Sequence, residues 1–109
     1  MTDKIIVLVT GPNPRACKRM ARALLEKKLI ACASIVPQIL SLYHWKGKLV
    51  DERECMMILK SRRDIFDALR VEIEKLHEYS IPEIIALPVI DGALNYLNWV
   101  GESLQSPSG

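Results

Sequence analysis

The pattern of apolar and polar positions divides this chain into two halves that repeat one order of elements. Lys4 to Thr10 is rich in Ile and Val and reads as a buried strand. Gly11-Pro12-Asn13-Pro14 ends it and opens a helix. Asn13 suits the cap, and Pro14 suits the first helical position, where a missing N–H costs nothing. Cys17, Met20, Ala21, Leu24 and Leu25 recur at helical spacing and give that helix one apolar face. Lys27 and Lys28 close it, where positive charge meets the helix C-terminus favourably. Ile30 to Lys46 then reads as extended chain, interrupted at Pro37, where a bulge or a change of pairing partner is expected. A turn at Lys46-Gly47-Lys48 leads back through Leu49 to Lys60 as the second arm of a long hairpin, with its register open by one or two residues. Ser61-Arg62-Arg63-Asp64 fits a capping box, and the helix after it carries Ile65, Leu69, Ile73 and Leu76 on one face. Pro82 to Asp91 predicts a last strand, with Pro88 marking an edge or bulge, and Ala93 to Leu104 a short terminal helix. Residues 105–109 are expected to form a disordered, frayed tail.

The order βαββαβ plus a terminal helix predicts an α+β fold. Two split βαβ halves form a ferredoxin-like sandwich, an antiparallel sheet covered on one face by two helices. Right-handed crossovers leave little other choice. The long hairpin sets a packing problem. At ~3.3 Å per residue, an arm of about 13 residues runs roughly 43 Å, whereas a compact domain of this size has a radius of gyration near ~13 Å. The hairpin must protrude or bend. Its distal part carries Leu42, Tyr43, Trp45, Leu49 and Val50, too apolar for water, and its strand edges invite pairing. Docking on another subunit solves both problems, so a closed ring of identical chains is expected.

Length and composition narrow the classes. The 109 residues make one domain, 1–109, with 50% hydrophobic and 26% charged residues, as in an ordinary globular protein. The net charge of +2, with no run of Lys or Arg above two, argues against nucleic acid as a partner. Apolar runs of about five residues are too short to span a membrane. Cys17, Cys32 and Cys55 are odd in number and widely spaced, which predicts neither a disulfide framework nor a CxxC clip. A cytoplasmic setting is the simplest expectation.

The richest chemistry lies in His77-Glu78-Tyr79-Ser80-Ile81-Pro82-Glu83, which gathers an imidazole, a phenol and two carboxylates. A neutral His77 suits copper or zinc, and Glu78 and Glu83 would add oxygen. The plainer reading makes His77 a helix-end residue that balances the dipole. One histidine is not a metal site, so donors from a neighbouring subunit would have to complete it. Glu54 and Lys60 occupy even positions of one strand and point the same way, able to form an ion pair or to flank a small ligand between subunits. Cys32, between alanines, reads as core or as a ligand in that cleft. Cys55 beside Met56 and Met57 gives either a sulfur set for Cu(I) or an adaptable interface strand. Tyr43, Trp45, Tyr96 and Trp99 are rings of the kind that anchor interfaces, and Tyr79 joins the ligand cleft. No GxSxG, P-loop, HExxH or GxGxxG is present, so no enzymatic activity is expected.

Ala31-Cys32-Ala33 through Pro37, then Ser41-x-Tyr43-x-Trp45-x-Gly47-x-Leu49, Glu54, Lys60, His77-x-Tyr79-x-x-Pro82-Glu83 and Tyr96-Leu97-x-Trp99 form one ordered set over Ile5 to Val100. This set resembles the CutA divalent-cation tolerance proteins. The resemblance implies a ferredoxin-like subunit in a tightly packed homotrimer, similar in architecture to PII-type signalling proteins. It also implies a link to copper and other divalent cations, without enzymatic activity. Members tied to copper carry a cysteine on the first strand and a histidine just before the one matching His77. Here those places hold Val9 and Leu76, which removes the soft sulfur and the His-His pair. Two functions follow as expectations: a trimer that binds metal or a small ligand near the subunit interface, or a rigid trimeric scaffold that docks or stabilises another protein.

Overall fold

The computed structural model describes residues 1–106. The chain runs β1 (Lys4–Gly11), α1 (Pro14–Glu26), β2 (Cys32–Trp45), β3 (Lys48–Arg62), a 3-10 turn (Arg63–Ile65), α2 (Phe66–Leu76), β4 (Ile84–Pro88) and α3 (Leu94–Glu102). The strands form one four-stranded sheet in the order β2-β3-β1-β4, and every neighbouring pair is antiparallel. This is the ferredoxin-like arrangement expected from the order of elements.

Strand alternation divides the sheet into two faces. Ile5, Val7 and Val9 of β1 and Cys55, Met57 and Leu59 of β3 point to one side. There they are buried with Cys17, Met20, Ala21 and Leu24 of α1 and Leu69 and Ile73 of α2. Ile6, Leu8, Met56 and Ile58, together with Val36, Ile85 and Leu87, alternate onto the other side. No helix layer covers them: Val36, Ile85 and Leu87 are exposed and the other four are only partly buried.

Local chemistry sets the joints. The Asn13 side chain accepts from the Ala16 N–H at 2.8 Å, with Pro14 just inside α1, as the sequence predicts. At the other end Lys28 has φ 56°, its N–H bonds to the Leu25 carbonyl, and the Leu29 N–H bonds to the Leu24 carbonyl. That pattern is a Schellman motif, here with a lysine in the left-handed position usually given to glycine. Gly11 faces α1 so closely that a Cβ would lie 2.6 Å from Cys17 Sγ. Its missing side chain lets the helix pack at the end of β1.

The hairpin is as long as expected. β2 bulges between Val36 and Ile39, around Pro37. The turn is the two residues Lys46 and Gly47, with φ 51° and 77°, joining a Trp45–Lys48 pair. Two successive positive φ values are the type I′ signature, and they resolve the register left open above. The hairpin extends the molecule to 44 × 26 × 22 Å, with a radius of gyration of 14.5 Å.

Several expectations are corrected. Ser61 does not cap α2. It is still in β3, opposite Ile5, and its hydroxyl donates to the Leu29 carbonyl at 2.8 Å. The last strand covers only Ile84–Pro88, which pairs with Val9 back to Ile5 of β1. Cys17 on α1 and Cys55 on β3 form a disulfide inside the core, 38 residues apart in sequence. A pairing between a helix and a strand leaves no mark in cysteine spacing, and it withdraws the argument for a reducing compartment. The expected tail begins later than predicted: the Gln105 N–H bonds to the Lys28 carbonyl, and its carbonyl accepts from the Arg62 guanidinium at 2.8 Å. Residues 107–109 of that expectation lie outside the described residues.

Candidate functional site

The distal hairpin and the loop after α2 enclose a groove of about 700 Å³, lined by Tyr43, Trp45, Glu52, Glu54, Tyr79 and Glu83 among others. Even positions of β3 put Glu52 and Glu54 on the uncovered face, and the register sets Tyr43 and Ser41 of β2 beside them. Two phenol–carboxylate pairs stiffen the walls. Tyr79 Oη donates to Glu54 Oε2 at 2.7 Å, and Tyr43 Oη donates to Glu52 Oε1 at 2.8 Å. Burial, then the bond to Glu54, pushes the Tyr79 phenol far above its ordinary value. The bond to Glu52 raises Tyr43 likewise. Glu54 is only 8% exposed, so its partner matters. Tyr79→Phe is expected to destabilise the chain by about 1–3 kcal/mol by removing the donor to a buried carboxylate. Denaturant unfolding at neutral pH measures this. Because the folded phenol titrates above its unfolded value, the contribution is complete below that value and is lost only in strongly alkaline solution.

His77 ends α2 in extended conformation. Its Nδ1 accepts the Tyr79 N–H at 3.1 Å, which requires the proton on Nε2, and Nε2 donates to the Thr10 carbonyl at 2.7 Å. The ring also packs against Tyr79, centroids 4.7 Å apart. His77 therefore staples the end of α2 to the end of β1, with both nitrogens in use. Glu78 and Glu83 are exposed, and Glu83 lies at the groove. Among the described residues no group of three His, Cys, Asp or Glu is placed to hold a metal ion. Nor is the expected sulfur set assembled: Cys55 and Met57 face the helices, Met56 faces away, and Cys55 is bonded to Cys17. Within one chain, the donors do not fit a metal.

Glu54 and Lys60 do share a face, but six residues of strand separate them by roughly 20 Å. The residues expected in one cleft thus fall into two places. Glu54 and Tyr79 belong to the groove. Lys60 and Cys32 lie at the other end of the face, under α3. There Lys60 Nζ is 3.9 Å from Cys32 Sγ and 6.0 Å from the Tyr96 ring centroid, and Cys32 Sγ is 3.7 Å from Tyr96 Oη. The contact with Cys32, then burial, raises the Tyr96 phenol. Trp99 packs on Tyr96 with centroids 5.6 Å apart. Trp45, Tyr96 and Trp99 are each close to half exposed, whereas Tyr43 is turned into the groove. Glu52 and the Thr10 carbonyl escaped the sequence reading. Alternation from Glu54 could have found the first, and nothing in the sequence marks the second.

The comparisons agree with this architecture. The model of the CutA1 divalent ion tolerance protein family matches residues 5–103. The chain is 46% identical over 99 residues to a chloroplastic CutA 1 protein of rice, covering 91% of this chain and 56% of that one. It is 38% identical to the divalent-cation tolerance protein CutA of Thermus thermophilus, covering 90% and 95%. It therefore spans little more than half of the rice relative and nearly all of the bacterial one. Among solved structures, a Thermus thermophilus divalent cation tolerance protein superposes with TM-score 0.91 at 36% identity, covering 94% of this chain and 99% of that one. Rice CutA1 superposes with TM-score 0.91 at 44% identity, covering 94% of each. With nearly the whole chain matched in sequence and in fold, the protein belongs to the CutA1 divalent ion tolerance family.

Proposed function

We propose that the chain works as a non-enzymatic homotrimer in divalent-cation tolerance, a rigid scaffold whose groove is closed by a neighbouring subunit and does not hold a His77-centred metal. The observation that carries this reading is the apolar sheet face that α3 covers only at its Lys60 end, together with a projecting hairpin that carries Leu40, Leu42 and Leu49 on its other face, each at least 60% exposed, and Trp45 at its tip. A single chain leaves this surface in water; a ring of copies buries it. The two hydrogen bonds of His77 favour the scaffold over a metal centre, as do Val9 and Leu76. The second reading, a metal or small ligand between subunits, draws on Glu78 and Glu83, which stand free at the exposed surface.

Titration of metal-free wild type and His77→Ala with Cu(II), with Cu(I) under anaerobic reducing conditions, and with Zn(II), against a chromophoric chelator, separates the two. Equal, weak binding by both proteins is expected. One-per-chain binding that disappears in His77→Ala would overturn the scaffold reading and place a metal at His77.

A further inference from the structure

Helix α1 carries four basic residues, Arg15, Lys18, Arg19 and Arg22, at positions i, i+3, i+4 and i+7. That spacing puts them in one stripe on one helix face, with neighbouring Cβ atoms about 5–6 Å apart. All four are exposed, and among the described residues none is in an ion pair or a side-chain hydrogen bond. The only acid in the helix, Glu26, follows the stripe. Local stability does not explain the arrangement. Like charges at i, i+4 repel, and Arg15 sits in the first turn, where the helix dipole disfavours a cation and no acid offsets it. Positions that break local rules without a structural gain are where function is expected.

We propose that this stripe is a docking surface for an acidic segment of another protein. The occupant follows from the surroundings. The adjacent helix α2 carries Asp67, Glu72 and Glu74 against Arg70 and Lys75, with Glu74 paired to Arg70 at 2.9 Å, and the Lys27–Glu72 ion pair at 2.7 Å ties the two helices side by side. A broad polyanion laid across the helical layer, whether a duplex or an anionic membrane, would rest half on the charge-balanced surface of α2 and gain little attraction there. A narrow acidic segment along α1 meets only cations. Single-stranded nucleic acid lacks a stacking platform, because α1 contains no aromatic residue. The stripe lies on the helical layer, opposite the uncovered sheet face, so assembly through that face leaves it free. It supplies the scaffold reading with a class of partner, yet rests on separate observations.

The test is fluorescence anisotropy of a labelled oligo-glutamate peptide with the full chain. Controls are the double variant Arg19→Glu/Arg22→Glu and Lys75→Glu on α2, with melting temperature as the check on folding. Expected results are saturable binding by wild type, unchanged binding by Lys75→Glu, and a loss of about tenfold or more in the double variant. Binding should also weaken as salt rises from about 0.01 M to about 0.15 M, which shortens the screening length from about 30 Å to about 8 Å. No binding, equal binding by a folded double variant, or tighter binding of a single-stranded oligonucleotide or of phosphatidylserine vesicles than of the peptide would overturn the proposal. A protein that proved monomeric yet bound the peptide would refute the assembly reading and leave this one standing.

Discussion

Ile58→Asp is expected to yield a folded monomer. Ile58 sits on β3 opposite Leu8 of β1 and Ser34 of β2, in the middle of the uncovered face. In an isolated chain the new carboxylate faces water beside a partly exposed surface, so the fold tolerates it. In the proposed assembly through this face the same group would be buried against apolar side chains, and Lys60, one step along this face, is engaged with Cys32 and Tyr96. An unpaired buried charge costs several kcal/mol, and each 1.4 kcal/mol is tenfold in an equilibrium constant. The association constant should fall by about a hundredfold or more. Sedimentation at micromolar concentration reads the mass, and circular dichroism confirms the fold. A variant that keeps the wild-type mass would remove the sheet face from the interface.

Leu24→Ala tests the other layer. Leu24 is fully buried where α1 meets the sheet, within the cluster that includes Val7, Val9 and Met57. Truncation deletes buried methyl groups and leaves a cavity that the strands beneath cannot fill, at a cost of about 2–5 kcal/mol. That is a large share of the ~5–15 kcal/mol that a domain has in total. Unfolding in denaturant at fixed protein concentration, with the Cys17–Cys55 disulfide intact, measures it; fixed concentration matters because assembly stabilises by mass action. A shift below about 1 kcal/mol would mean that Leu24 is not a packing centre.

The fold was legible wherever local chemistry and periodicity agreed. Asn13-Pro14 announces α1, Pro37 announces the bulge, and the alternation of β3 foretells that Glu54 and Lys60 share a face. What the sequence hid depends on contacts between distant elements. Ser61 carries a capping signature, yet sheet pairing and the Leu29 carbonyl claim it first. Cys17 and Cys55 meet only because α1 crosses β3. His77 looks like a ligand in sequence because its two hydrogen-bond partners, a carbonyl at the end of β1 and an amide two residues on, carry no side-chain signal. The basic stripe of α1 is likewise diluted in a net charge of +2, since the acids of the chain are gathered elsewhere.

The most direct test of the assembly is the molar mass of the wild-type chain by light scattering across a dilution series. A mass several times 12.3 kDa, held down to low micromolar concentration, is predicted by the uncovered sheet face and the apolar hairpin, and the resemblance to CutA proteins implies that the multiple is three. A constant 12.3 kDa would contradict the account, leaving that surface in water with no partner copy to cover it.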